Sequence, residues 1–293
     1  MEKINLAKRL LIVTIMAMFH QSIKSQVTIT YAMDSPGLVL MSQDVSKYET
    51  IDKSYLNLIY QVKIKASAND TKMQFEDDMI LLIGKKYTSF YSKNLHELDV
   101  KRDSIIKLYG MATPEQGWQG YEIKTDLQKK ELTVDNRIPF TKDVCRYTEP
   151  SPQMKWNIEN SVDSVFGYKC KKATTEYGGR KYIAWFTNDI PISTGPWKFA
   201  GLPGAILKVT DTEHNFSFEC IGLTQQTLPI VNYDWKYKNM SKTEWIKFEK
   251  NMYEHAGLFI SSTGARVIIM DNSEKGSHPI SEQLSLFYNP MEK

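Results

Sequence analysis

Alternation of apolar and polar positions is the dominant pattern in this sequence. Over residues 60–66 every second side chain is apolar, with glutamine or lysine between, as expected of a strand with one buried face. Two further β-prone runs, 79–83 and 87–91, are separated by a short turn that contains Gly84, which predicts a hairpin. Residues 121–125 and 131–134 repeat this arrangement around a polar turn. The first half of the chain is therefore predicted to be antiparallel β.

The second half continues the pattern and adds a helix. Runs 167–177 and 180–187 flank Gly178 and Gly179, a pair that supplies the positive φ angles of a tight hairpin turn. Runs 205–209 and 215–221 predict another antiparallel pair. Helical spacing of apolar residues follows Asn94 and also follows Ser241, where Glu244 completes a capping box. We expect a mainly β fold with a few helices (α+β), built on a curved antiparallel sheet.

The N-terminal segment has the composition of an export signal. Lys3, Lys8 and Arg9 precede the uncharged, apolar run 10–19, which is short of the roughly 20 residues that a membrane helix needs. We predict a signal peptide over 1–25, cleaved after Ser25, with a retained membrane helix as the weaker alternative. Residues 26–293 are predicted to form a single mainly β domain. Prolines over 136–153 predict a long connection there, and this is the best candidate for a sub-boundary.

Charge narrows the classes of partner. Four basic residues and one acidic residue in 1–25 account for the formal net charge of +3, so the mature chain is predicted to be neutral. A neutral chain with interspersed charges has no basic surface for nucleic acid. No later segment reaches transmembrane length. We expect a protein of the periplasm or the cell surface, with a cell-envelope protein or an apolar ligand as its partner.

The segment 190–209 is unusually rich in glycine and proline. Its turn-forming residues are Gly195, Pro196, Gly201, Leu202, Pro203 and Gly204. Pro203 followed by Gly204 predicts a type II turn over 202–205 with a positive φ at the glycine. We expect a rigid loop that leads into a strand.

This loop and its surroundings resemble the GLPGLI family of exported Bacteroidetes proteins. The resemblance rests on residues 201–206 (GLPGAI here), on 167–174, on Gly179 and Arg180, and on the ending 289–292. Ala205 departs from the leucine of the family name. The family has no established activity, and the resemblance implies an association with TonB-dependent outer-membrane transport. The order of hairpins is also similar to the half-barrels of LolA-like carriers, which implies a role in carrying an apolar ligand.

Candidate site residues come from the same loop. Trp197, Lys198 and Phe199 combine two aromatic rings with a cation, a set suited to binding a ligand or partner. The alternative, which we favour, is that both aromatics fill the open end of the sheet. Arg180 and Asp189 are a candidate ion pair near that loop, with an ordinary surface contact as the equal alternative. Binding is the candidate role of Trp197, Lys198 and Phe199, and none of these residues is assigned a catalytic role.

Other chemistry has weaker support in the sequence. Cys145, Cys170 and Cys220 allow at most one internal disulfide, for which Cys170 and Cys220 are our candidates, and three buried thiols are the alternative. The histidines lack zinc spacing, and neither a nucleotide motif nor a nucleophile elbow is present, so we expect no metal and no cofactor. We expect a binding or accessory protein. The alternative is an exported hydrolase whose carboxylates converge only in the fold.

Overall fold

The computed structural model describes residues 12–14, 28–31, 38–109, 119–271 and 276–292. Within these residues the chain forms three helices, α1 (Lys93–Tyr109), α2 (Lys242–Glu254) and α3 (Ala256–Ser262). The strands are β1 (Ile12–Thr14), β2 (Thr28–Tyr31), β3 (Tyr48–Lys65), β4 (Gln74–Gly84), β5 (Tyr87–Ser92), β6 (Tyr121–Asp126), β7 (Glu131–Arg137), β8 (Val144–Pro150), β9 (Asn157–Val165), β10 (Tyr168–Tyr177), β11 (Arg180–Thr187), β12 (Ala205–Asp211), β13 (Phe216–Thr224), β14 (Pro229–Tyr233), β15 (Tyr237–Asn239), β16 (Arg266–Asp271) and β17 (Gly276–Pro279).

A 13-stranded open sheet organises the described residues, in the order β15-β8-β7-β6-β5-β4-β3-β13-β12-β11-β10-β9, with β14 attached to β3. The 18-residue strand β3 is its centre. One edge of β3 pairs with β4, while the other pairs with β14 along its first half and with β13 along its second. Neighbours are antiparallel except β15 and β8, which run parallel. The predicted mainly β fold on an antiparallel sheet is confirmed.

A smaller sheet brings together distant parts of the chain. It has four strands in the order β1-β2-β16-β17, and β16 runs parallel to β2. Apart from β1, the predicted signal peptide lies outside the described residues, so its cleavage after Ser25 stays a prediction.

We define the inner face of the large sheet by Leu58, Tyr60 and Val62 of β3, all of which are buried. Directly paired residues share a face, so Met79 of β4, opposite Tyr60, and Phe218 of β13, opposite Val62, belong to the same surface. The main hydrophobic core forms here and also includes residues of the 190–209 loop and of α2. That loop and α2 therefore cover the inner face.

The outer face carries the alternate side chains. Ile80 and Leu82 of β4 pack with Ile230 of β14 in a separate buried cluster. Helix α1 lies against β4 and β5 and covers part of the remaining surface. This face also carries buried charges within the sheet, among them Glu122, Lys124 and Asp135.

The predicted hairpins are confirmed, and the predicted connection is wrong in part. Each pair of runs named above forms an antiparallel pair, from β4–β5 to β12–β13. Within 136–153, however, residues Val144–Pro150 form strand β8, which pairs with β7. Pro139 precedes this strand and Pro150 is its last residue, so neither removes a hydrogen bond from the middle of the ladder. The division of the mature chain into domains stays a prediction.

Among the described residues, no helix is both long and apolar enough to span a membrane.

Candidate functional site

The glycine-rich loop folds back on itself before entering β12. The amide of Ala205 donates to the carbonyl of Ile190 at 2.9 Å, and the amide of Ile206 donates to that of Thr194 at 3.0 Å. Gly195 is needed because a Cβ there would lie 2.6 Å from the Cβ of Ile206. The loop is therefore held by its own backbone.

A positive φ was the predicted reason for glycine at position 204, and this prediction is wrong. Gly201 has the positive φ, +97°, whereas Gly204 is not among the residues with positive φ. A Cβ at Gly204 would instead lie 1.9 Å from the carbonyl oxygen of Thr187. Close approach of two backbone segments therefore requires glycine at this position.

Trp197, Lys198 and Phe199 are all buried, with exposed fractions of 8%, 5% and 1%. The ring of Phe199 lies 5.1 Å from that of Trp197 and 4.8 Å from that of Tyr182, between centroids. An exposed recognition surface is therefore not formed, and the aromatics fill the core of the inner face instead. Trp197 adopts a positive φ of 53°, a strained backbone state for a bulky residue that the surrounding contacts hold in place.

Buried Lys198 belongs to a four-charge cluster, which we define as Lys198, Lys242, Glu149 and Glu292, and whose other three members are partly buried. The Lys198 Nζ lies 2.5 Å from Glu149 and 3.1 Å from Glu292, while Lys242 lies 2.7 Å and 2.8 Å from the same two carboxylates. Tyr177 also donates to Glu292 at 2.6 Å. Burial alone would raise the pKa of Glu292, but Lys198, Lys242 and Tyr177 together hold that pKa below its ordinary value. Charge within the cluster is thus balanced.

The segment 289–292, which contains Glu292, is bound along its backbone. Arg180 donates to the carbonyl of Pro290 at 2.9 Å and to the side chain of Asn289 at 2.7 Å, and Tyr182 donates to the carbonyl of Met291 at 2.9 Å. Arg180 pairs with Asp211 at 3.2 Å, so the expected pair with Asp189 is wrong. From the sequence, Arg180 was expected to pair with Asp189 and 289–292 was only part of a resemblance, so the contact between Arg180 and this segment was not predicted.

A cavity of about 170 Å³ lies between the inner face, α2 and the segment 287–292. Trp197 and Lys198 line it, and Phe199 does not. Glu249 of α2 also lines it and accepts a hydrogen bond from Tyr288 at 3.2 Å. Burial raises the pKa of Glu249 to about 7, with Glu292 adding to the rise and Tyr288 opposing it. This inner cavity is small, and its charged wall already has partners.

A larger cavity, of about 350 Å³, lies on the outer face. It is bounded by β3, β4, β5 and β6 of the sheet, by α1 and by β14. Its apolar wall is made by Ile80, Leu82, Leu228, Ile230 and Val231, and aromatic rings are contributed by Tyr48, Tyr91 and Tyr233. Sequence reasoning had not identified this outer cavity, because its walls come from six elements, between Tyr48 of β3 and Tyr233 of β14.

The polar end of the outer cavity is built on adjacent strands. Glu122 of β6 accepts from the hydroxyl of Ser89 at 2.9 Å and pairs with Lys124 at 3.3 Å. Lys124 also pairs with Asp135, which receives two hydrogen bonds from Arg146, at 2.6 and 2.7 Å. Register explains the cluster, since Glu122 is directly opposite Asp135 on β7. The carboxylate facing the cavity is therefore part of a fixed ionic chain.

His96 of α1 also lines the outer cavity. Its ring lies 5.3 Å from that of Tyr91, and its Nδ1 lies 3.4 Å from the hydroxyl of Tyr233. Burial lowers the pKa of His96 below its ordinary value, although Asp99 and Glu122 act in the opposite direction. A neutral imidazole can donate from one nitrogen and accept at the other. The cavity thus combines apolar walls with several fixed polar groups.

The cysteines and possible metal ligands do not assemble into a further site. Cys145, Cys170 and Cys220 are buried free thiols, so the expected disulfide between Cys170 and Cys220 is not formed. Burial raises the pKa of each to about 11, which keeps the thiols protonated. In the part of the chain that the structure describes, no three histidine, cysteine or acidic side chains cluster closely enough to hold a metal ion.

The described residues form a mainly β protein with a large open antiparallel sheet. Residues 178–208, from the turn before β11 into β12, match the model of a family described as "Protein of unknown function (Porph_ging)". This match includes the glycine-rich loop and Arg180. No curated protein matches the chain.

Two solved structures of PNGF-II, in the P21 and C2 space groups, are similar to this chain. Identity is 11% in both, with TM-scores of 0.47 and 0.45. The match covers 67% of this chain but only 32% of the PNGF-II chain. Likeness at this level carries no information about activity.

Proposed function

We propose that this protein is an exported binding protein whose ligand occupies the outer cavity. The observation that carries the proposal is the combination of volume and lining: about 350 Å³, with apolar and tyrosine walls and the polar groups of Ser89, His96 and Glu122 at one end. Ligand sites in proteins typically have volumes of about 300–1,000 Å³ and few, well-placed polar groups in an apolar wall. Binding requires no reactive group here.

The inner cavity fits a carrier role less well. At about 170 Å³ it is near the size of an engineered cavity of about 150 Å³ that holds a single benzene. Its charged residues pair with one another, and the segment 289–292 covers it. The role first assigned to Trp197, Lys198 and Phe199 therefore passes to the outer cavity, and these three residues support the fold.

Native mass spectrometry of protein purified from its own cell envelope tests the proposal. Val100 lines the outer cavity and is 61% exposed, so Val100→Trp places a large ring at the opening without disturbing a packed core. Leu258→Trp is the matched control, on the exposed surface of α3. We expect an adduct on the wild type and the control that is missing from Val100→Trp. A bare mass in all three would contradict the proposal.

Export and family membership form a second part of the proposal. The basic and apolar pattern of 1–25 and the GLPGLI-type loop support an exported accessory protein of a TonB-dependent transport system. The match of 178–208 to a family of unknown function covers the same loop and Arg180. N-terminal sequencing of the envelope protein should begin at Gln26. A start at Met1 would contradict cleavage.

A hydrolase is the second candidate, and one observation favours it. In the inner cavity the pKa of Glu249 is raised to about 7 while that of Glu292 is lowered, and such divergence is typical of acid–base pairs. If hydrolysis occurs there, Glu249→Gln should abolish turnover of chromogenic ester and glycoside substrates. Turnover that is absent from the wild type, or unchanged in the variant, would eliminate this candidate.

A further inference from the structure

The charges around the outer cavity restrict the kind of ligand it can take. Among the described residues that line it, each fully charged side chain has an opposite charge beside it. Lys93 pairs with Glu97 at 2.7 Å, and Glu122 pairs with Lys124 at 3.3 Å. His96, the remaining titratable base in the lining, has a lowered pKa. A charged group at the buried polar end, beside Glu122, would find no free counter-ion. The Lys93–Glu97 pair, with side chains 37% and 46% exposed, is weak by comparison.

The pairs behind the polar end cannot easily be exchanged for a ligand. Lys124 and Asp135 are 4% and 1% exposed at their side chains, and Arg146 holds both oxygens of Asp135. Removing Lys124 from Glu122 to admit a cation would leave a buried ammonium with one fewer partner. The same ionic chain would have to be broken to admit an anion beside Glu122.

Neutral polar groups, in contrast, have partners available. A carboxylate oxygen accepts more than one hydrogen bond, so Glu122 can accept from a ligand hydroxyl as well as from Ser89. A neutral His96 offers a ring nitrogen as donor or acceptor. The opposite wall, with Leu82, Ile230 and Val231, suits a hydrocarbon body.

We infer that the ligand of the outer cavity is an uncharged amphiphilic molecule, with a hydroxyl directed at Glu122 and His96 and an aromatic or alicyclic body against the β4–β14 wall. This inference rests on the proposed binding function and adds the chemical class of the ligand. A hydroxyl at this end completes hydrogen bonds without disturbing the ion pairs. A carboxylate or an ammonium group in its place would be buried without compensation.

Three probes of nearly equal size and different charge test the inference: 2-phenylethanol, 2-phenylethylamine and phenylacetate. Each is titrated into the mature protein at pH 7.5, with isoleucine methyl resonances of Ile80 and Ile230 reporting on the cavity and that of exposed Ile221 serving as a control. We expect the alcohol to bind at least tenfold more tightly than either ion. Either ion binding as tightly as the alcohol would overturn the inference and leave the binding function standing.

A variant sharpens the result. Glu122→Gln removes one negative charge and leaves the cavity with an excess of positive charge from Lys124, so phenylacetate should gain several-fold in affinity relative to the alcohol. Glu219→Gln, on an exposed pair with Lys208, is the control and should change neither affinity. An unchanged ranking in a folded Glu122→Gln protein would contradict the charge argument. No shift with any probe would overturn the inference, and a bare mass from the cell envelope as well would overturn the binding function.

Discussion

The two faces of the large sheet use buried charge in opposite ways. On the inner face, four charges pair among themselves and attach the segment 289–292 to the core, leaving a cavity of about 170 Å³. On the outer face, a chain of charges from Glu122 to Arg146 lies in the sheet itself, and a cavity of about 350 Å³ remains in front of it. Paired charges hold a chain segment against the core on one face, and on the other they lie behind the cavity proposed as the binding site.

The largest loss of stability is expected from Lys198→Met. This change removes the buried partner of Glu149 and Glu292, whose side chains are 12% exposed, and leaves Lys242 as their remaining cation in the cluster. Breaking a buried ion pair costs about 3–5 kcal/mol. Urea unfolding measures the loss of stability. Lys208→Met removes a half-exposed pair with Glu219 and should cost about 0–1 kcal/mol. Equal losses in the two variants would show that the cluster does not hold the inner face closed.

The second-largest loss of stability is expected from Gly204→Ala. The new Cβ would meet the carbonyl of Thr187, so the loop or β11 must shift, at a cost of about 1–3 kcal/mol. Gly167→Ala is the control, because Gly167 has a φ of +77° and open space around it, so it should lose only about 1 kcal/mol from backbone strain. Thermal unfolding of the two variants and the wild type measures the two losses of stability. A smaller loss at Gly204 than at Gly167 would contradict the close approach.

The third prediction concerns pH. Because the folded pKa of Glu249 is raised to about 7, folding favours its protonated form, and this contribution is present below the ordinary glutamate pKa. It is lost as pH rises from about 4.5 to about 7, by roughly 2 kcal/mol after allowance for partial exposure. Glu249→Gln should flatten this part of the stability curve. Asp77, whose burial also raises its pKa to about 7, supplies a similar slope that the variant retains.

The smallest effect on stability is expected on the outer face. His96 is only partly buried, and its contact with Tyr233 is long, at 3.4 Å, so His96→Ala should cost about 1 kcal/mol or less. Binding of 2-phenylethanol should nevertheless weaken. A stability loss as large as that of Lys198→Met, with binding unchanged, would reverse the roles assigned to the two faces.

Local sequence patterns were sufficient to predict most of the strands and helices and the pairing of strands that are neighbours along the chain. Alternation predicted β3, the glycine pair predicted the turn with φ of 56° and 73° at Gly178 and Gly179, and the Ser241–Glu244 box predicted the start of α2. Each of these signals acts over a few neighbouring residues, so it is visible in the sequence. The connection predicted over 136–153 was wrong at β8 because prolines at the ends of a strand do not prevent pairing within it.

The sites were decided by contacts between distant residues. Trp197 and Lys198 were identified from sequence, but their burial and the pairing of Lys198 with Glu292, 94 positions away, depend on how the loop and the segment 289–292 meet on the inner face. The outer cavity requires β3, β4, β5, β6, α1 and β14 to converge, and no local pattern in the sequence predicts that convergence. The sequence alone therefore determined a mainly β chain with a specific loop. Tertiary structure decided which charges are paired and where space remains, because both depend on packing across the sheet.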